Sequence, residues 1–352
     1  MKKILFLILF LTSLISYSQI SYPGTPASFE AKVNKTNIYT LPIIDVEALK
    51  MEDAIVDKYK DRPWRFGQNV YVDIDIIEQG FDTIINGEKI WLMTFKSEGA
   101  LTLNFTFDQF HLPANTELYL YNADKSMVLG AFNHNNNSED GVFATTLIPG
   151  DEVTIEVNQD AAVNELPSLR LYRITHGYRN AYDYAMKSFG SSGSCNVNVA
   201  CPQAAGWEDQ IRSVCMLVSG GSGFCSGALI NNTNNDGTPY VLTANHCYSD
   251  PSSWVFWFNW QSPTCSNPPS SPSYNSMSGA TLKARYANSD FCLVQINNSV
   301  PASYNVYFSG WNRTTDNNIS GKVVGIHHPA GDIKKISWST GGLSTTTYSE
   351  NS

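Results

Sequence analysis

Two residues in this chain have types and surroundings suited to proton transfer: His246, inside Thr243-Ala244-Asn245-His246-Cys247, and Asp290, inside Ala287-Asn288-Ser289-Asp290-Phe291. The histidine closes a stretch that begins at Cys225-Ser226-Gly227-Ala228-Leu229-Ile230, turns over 231–238 through Asp236-Gly237, and returns as Tyr240-Val241-Leu242. Asp-Gly between two apolar runs is a hairpin signal. Such a hairpin brings Cys225 and Cys247 near each other, and a bridge there would hold the backbone beside His246. A general base has to be positioned before its pKa matters. Asp290 stands at the mouth of the apolar run 291–296, from where its carboxylate can reach a histidine, fix the imidazole tautomer and stabilise the imidazolium.

The elements that must position these residues are strands. Alternating apolar segments predict strands over 69–76, 89–95, 101–107, 116–121, 141–147, 152–157 and 169–175, punctuated by turn residues such as Asn86-Gly87 and Pro149-Gly150-Asp151. Short strands at this spacing indicate an antiparallel sandwich over about 64–178. Before it lies a loose leader with one short helix expected over 46–56. After it, the glycine- and serine-rich stretch Ser188-Phe189-Gly190-Ser191-Ser192-Gly193-Ser194 reads as an exposed linker. Strand-like runs then recur over 211–218, 224–230, 240–243, 254–260, 281–286, 291–296, 306–311, 322–326 and 335–339, without convincing helical periodicity. The expected fold class is all-β throughout.

The first residues indicate export. Lys2 and Lys3 precede the apolar run 4–11, which resumes at Leu14-Ile15 before Ser16-Tyr17-Ser18, the pattern of a signal peptide over 1–18. The run is too short to cross a bilayer, and no later segment approaches that length, so no membrane span is expected. A chain of 352 residues calls for two domains. From Ser188 onward seven basic residues face eight acidic ones, so most of the net charge of -9 lies in the N-terminal part. Neither half carries the basic stripe that binding to nucleic acid requires. All seven cysteines lie at or after Cys195, and clustered cysteines in an exported protein read as a disulfide framework. An odd number leaves one thiol free, paired with another chain, or paired outside this sequence.

The segments 191–202 (SSGSCNVNVACP), 225–232 (CSGALINN), 240–247 (YVLTANHC), Ser289-Asp290-Phe291 and Gly325-Ile326-His327-His328-Pro329 together resemble the catalytic domain of bacterial lysyl endopeptidases. These are trypsin-like serine proteases of the chymotrypsin superfamily, and His246 followed by Asp290 matches their order of base and orienting carboxylate. The resemblance implies a double β-barrel over 188–352, preceded by a pro-region over 19–187 that inhibits the protease or assists its folding. The sandwich carries that likeness at 107–113 and 148–152. It also implies the pairs Cys225-Cys247 and Cys201-Cys265, with Cys195 paired outside this sequence. Cys215 and Cys292 fall on core-type strands; either they form an extra bridge or they remain two buried thiols.

The late Gly-x-Ser-Gly turn that carries the family's nucleophile does not occur after Ser339, so the second barrel is expected to be incomplete and the serine to lie beyond Ser352. The serines of Gly221-Ser222-Gly223 and of 190–194 precede His246 and match family segments without a nucleophile. The implied activity is hydrolysis of protein or peptide substrates on the carboxyl side of lysine. Lys187-Ser188 is then the natural self-processing bond. The expected protein is a secreted monomer whose partners are its substrates and its own pro-region. Neither cofactor nor metal is expected: His327 and His328 read as a structural turn, and there is no His-Glu-x-x-His or Cys-x-x-Cys. The aromatic run Trp254, Phe256, Trp257, Phe258 and Trp260 reads as barrel packing. The rival reading is an inactive secreted binding or adhesion protein on a protease scaffold.

Overall fold

In the computed structural model, which describes residues 20–31, 33, 35–59, 61–179, 195–314 and 319–344, strands form where apolar residues alternate or run together between turn residues. The expected signal peptide, Lys187 and Ser188 lie outside the described residues. The N-terminal part runs α1 (Ala27–Ala31), β1 (Asn37–Thr40), α2 (Val46–Val56), β2 (Trp64–Arg65), β3 (Gly67–Asp75), α3 (Ile76–Gln79), β4 (Phe81–Ile85), β5 (Glu88–Lys96), β6 (Thr102–His111) and β7 (Thr116–Asn122). It continues through β8 (Val128–Phe132), β9 (Phe143–Ala144), β10 (Ile148–Pro149), β11 (Glu152–Asp160) and β12 (Ser168–Gly177).

Two sheets result. One has the order β1-β5-β11-β7-β8, with β4 sharing an edge of β5; the other has β10-β6-β12-β3, with β9 sharing an edge of β6. Their facing sides supply one apolar core that includes Phe95, Phe105, Phe107, Leu118, Phe132, Ile155 and Ile174, so the two sheets form the expected sandwich. The edge-to-face contact of Phe95 and Phe105, with centroids 5.4 Å apart, is a favoured aromatic geometry. A buried carboxylate also ties the leader to this unit: Glu156 accepts from Ser28 N at 2.9 Å and from Tyr121 Oη at 2.9 Å.

The C-terminal part runs β13 (Val197–Asn198), α4 (Glu208–Ser213), β14 (Val214–Ser219), β15 (Gly223–Ile230), β16 (Tyr240–Ala244), β17 (Val255–Phe258), β18 (Asn275–Ser278), β19 (Ala280–Tyr286), β20 (Phe291–Ile296), β21 (Val323–His327) and β22 (Lys335–Ser339). Strand order β18-β17-β14-β15-β16-β20-β19 places consecutive strands at the two edges of one sheet. Gly279, at φ +80°, is the corner between them, and the sheet curls into a barrel around Leu217, Leu229, Val241, Phe256, Val294 and Ile296. A three-stranded sheet, β13-β22-β21, follows.

Three sequence expectations change: over 141–147 only Phe143–Ala144 forms a strand. The strand expected from 211 begins at Val214, because Glu208–Ser213 forms a helix with Glu208 and Asp209 in its first turn and Arg212 in its last, the charge order that suits a helix dipole. No strand occupies 306–311; Ser309 makes an isolated bridge to Ile230.

Candidate active site

Strands β16 and β20 are antiparallel neighbours, with Thr243 opposite Cys292 and Ala244 opposite Phe291. The residue that follows β16 and the residue that precedes β20 therefore emerge at the same end of the pair. Asn245–Cys247 turns there as a short 3-10 helix carrying His246. Asp290 arrives in the left-handed conformation, at φ 52°. This is a region that Asp tolerates better than most residues. Its carbonyl accepts from Asn245 N at 2.8 Å.

The Asp290 carboxylate meets His246 twice. Oδ1 accepts from the His246 backbone N at 2.7 Å, and Oδ2 lies 2.7 Å from His246 Nδ1. With Nδ1–H donating to Oδ2, Nε2 carries the free lone pair that a general base needs. The two side chains are 32% and 50% exposed, so their ion pairing is screened by solvent and what the contact supplies is orientation.

The turn is stapled from its other side. Cys247 is bonded to Cys225 on β15, with Cα atoms 6.2 Å apart. A His246 ring nitrogen and both sulfurs lie within 4.8 Å of one another. This trio has metal-ligand residue types, but its sulfurs are tied to each other and offer no thiolate. The second bridge joins Cys201 to Cys265.

Cys215 and Cys292 are buried free thiols in the structure, the second of the two alternatives left open by the sequence, and Cys195 is an exposed free thiol. Burial pushes the Cys215 thiol up to about 12, so it stays protonated. His328 is buried with Nδ1 3.0 Å from Asp332 O and its ring stacked on Trp260, and desolvation holds its pKa well below the usual range. His327 is also shifted down by burial. Within the aromatic run, strand alternation sends Trp254, Phe256 and Phe258 into the barrel and Trp257 to its outer face; Trp260, beyond β17 and after Asn259 at φ 62°, joins Trp257 there.

Several contributors were not singled out from the sequence. Ser226 accepts from His328 N at 2.8 Å through Oγ and from Thr243 Oγ1 at 2.8 Å through its carbonyl, joining β15 to the His-His-Pro turn and to the strand that delivers His246. Arg285 stacks over Tyr248, two residues past His246, at 4.1 Å. A serine in a strand and an arginine in an edge strand carry no local signal of such contacts.

Comparison with known proteins bears on what this arrangement is. Residues 189–352 match the family model described as lysyl endopeptidase, C-terminal domain. A curated lysyl endopeptidase of Pseudomonas aeruginosa is 29% identical over 211 residues, covering 54% of this chain and 44% of that protein. The aligned chain thus spans less than half the length of that relative. The matched region holds the barrel, the His246-Asp290 pair and both disulfides, and on this evidence the chain is a lysyl endopeptidase-like protein.

Proposed function

We propose that this chain is the precursor of a secreted serine endopeptidase that hydrolyses peptide bonds on the carboxyl side of lysine. The observation that carries the reading is the two-point contact of Asp290 with His246, beside a disulfide that fixes the same turn. A serine presented to Nε2 gives up its proton to His246 as its Oγ attacks the scissile carbonyl. His246 then returns the proton to the leaving amine, the acyl-enzyme forms, and water repeats the cycle to release the acid. Asp290 keeps Nδ1 protonated and stabilises the imidazolium.

By likeness to lysyl endopeptidases the nucleophile is the serine of a late Gly-x-Ser-Gly turn; no serine hydroxyl among the described residues hydrogen-bonds His246. Lysine preference, self-processing at Lys187-Ser188 and the role of 19–187 as pro-region follow from likeness to lysyl endopeptidases. Disulfides suit an oxidising compartment, which fits export through residues 1–18. The test is hydrolysis of lysyl, arginyl and neutral peptide esters by the precursor with its full coding sequence, with and without a serine-directed acylating reagent. Preferential lysyl hydrolysis abolished by the reagent supports the reading; reagent-resistant or absent hydrolysis refutes it.

A further inference from the structure

The outer edge of β15 is shared unequally. Its far end, Ala228 to Ile230, pairs with β16, which then diverges so that Asn245–Cys247 can turn and deliver His246. The near end, Gly223 and Phe224, is left open by the barrel itself, and β2 of the N-terminal part fills it in antiparallel register, Arg65 opposite Gly223 and Trp64 opposite Phe224. Five consecutive residues, 220–224, are engaged by the N-terminal part. Asn69 Nδ2 donates to Gly220 O at 2.8 Å, Asn104 Nδ2 to Gly221 O at 3.0 Å, and Phe66 N to Ser222 O at 2.8 Å; β2 covers the remaining two.

The filling strand is held in place. Phe224 stacks on Phe66 at 4.3 Å and on Trp64 at 5.9 Å. Arg179 lies over Trp64 at 3.8 Å, and Arg65 bonds Asp53 on α2. A Cβ built on Gly223 would stand 2.5 Å from Pro63 Cβ, so this close approach requires glycine. Elsewhere the sandwich face near this edge carries buried polar residues, Thr102, Asn104, Thr106 and Thr175.

An extended peptide binds a protein most directly by adding itself to an open sheet edge. The edge at 222–224 runs into Cys225, whose sulfur lies within 4.8 Å of a His246 ring nitrogen. We propose that residues 64–66 are a built-in competitor strand, occupying the edge along which an extended peptide substrate lays its backbone beside His246. The proposal rests on the endopeptidase reading, and it assigns the block to one strand rather than to the bulk of the N-terminal part.

The test uses the precursor with its full coding sequence and two probes: a fluorescein-labelled copy of residues 62–68, and the peptide Ala-Ala-Lys-Ala-Ala with its Lys-Ala bond reduced so that it cannot be cut. In the double variant Trp64→Ala with Arg65→Ala, the labelled peptide is expected to bind at least ten-fold more tightly than to the parent chain, by fluorescence anisotropy, and the reduced peptide is expected to displace it. A second variant leaves the N-terminal part untouched: Gly223→Ala should speed hydrogen exchange at Phe66 N at least ten-fold. Equal peptide binding by parent and double variant, both shown folded by circular dichroism, would overturn the proposal, as would unchanged exchange in Gly223→Ala. Failure of the reduced peptide to compete, in a protein that hydrolyses lysyl esters, overturns the competitor strand alone. Competition without hydrolysis refutes the endopeptidase reading and leaves the edge as a peptide site.

Discussion

The sandwich holds no cysteine, and its core cluster is built from apolar side chains between two sheets. The barrel interior contains Cys215, Cys225, Cys247 and Cys292, and two disulfides brace the C-terminal part. Their buried charges differ as well. In the sandwich half, Asp53 receives Arg65, Arg179 and Tyr178 Oη at 2.7, 2.9 and 2.7 Å. In the barrel half, the fully buried Lys334 ammonium donates to Ile211 O at 2.9 Å, and burial pushes it down to about 7. The first half meets its buried Asp53 with two arginines. The second leaves the buried Lys334 on a backbone carbonyl.

Changes that break this contrast should differ in size. The largest loss is expected from Asp53→Ala, which removes the buried carboxylate shared by Arg65 and Arg179, leaving them Glu52 and Asp57, and should cost roughly 3 kcal/mol by denaturant titration, reported by the Trp64 environment. Replacing Cys225 and Cys247 with serine opens the loop between positions 22 residues apart and should cost about 3 kcal/mol or slightly less, with the sandwich unfolding unchanged.

Lys334→Met should act in the opposite direction, gaining roughly 2 kcal/mol below pH 7. The sign follows from linkage: the folded value, about 7, lies below the unfolded one. Below pH 7 both states are protonated and the fold carries the full cost of a buried cation. Above it the unfolded chain alone keeps the proton, so stability rises with pH until the unfolded lysine also titrates. The methionine variant should lose this slope, and an unchanged slope would show that Lys334 is not the group responsible. The smallest effect is expected at the exposed Lys50-Glu47 pair on α2, where Glu47→Ala should change stability by less than about 0.5 kcal/mol.

His246 and Asp290 were legible because each lies in a short local pattern, and antiparallel pairing of the strands beside them does the rest. The sandwich was legible for a similar reason, since alternation is a local property. Its edges were not: β1, β4 and β8 are short, and Thr36, Asn37 and Ile38 give no periodic signal. The β2–β15 pairing was hidden because it joins distant segments through two residues, and its selection depends on Arg65, Arg179 and Asp53 meeting in space. Spacing alone left Cys215 and Cys292 undecided, since two thiols on core strands fit a bridge and separate burial equally well.

Hydrolysis of a lysyl peptide ester by the full-length precursor, with Asp290→Asn compared against the parent protein, tests the central claim most directly. If Asp290 holds the His246 tautomer, kcat should fall by about 10⁴ while the Cys225-Cys247 bridge and the unfolding midpoint stay near those of the parent. A kcat within a few-fold of the parent would contradict the assignment of this pair as the catalytic base and its orienting carboxylate.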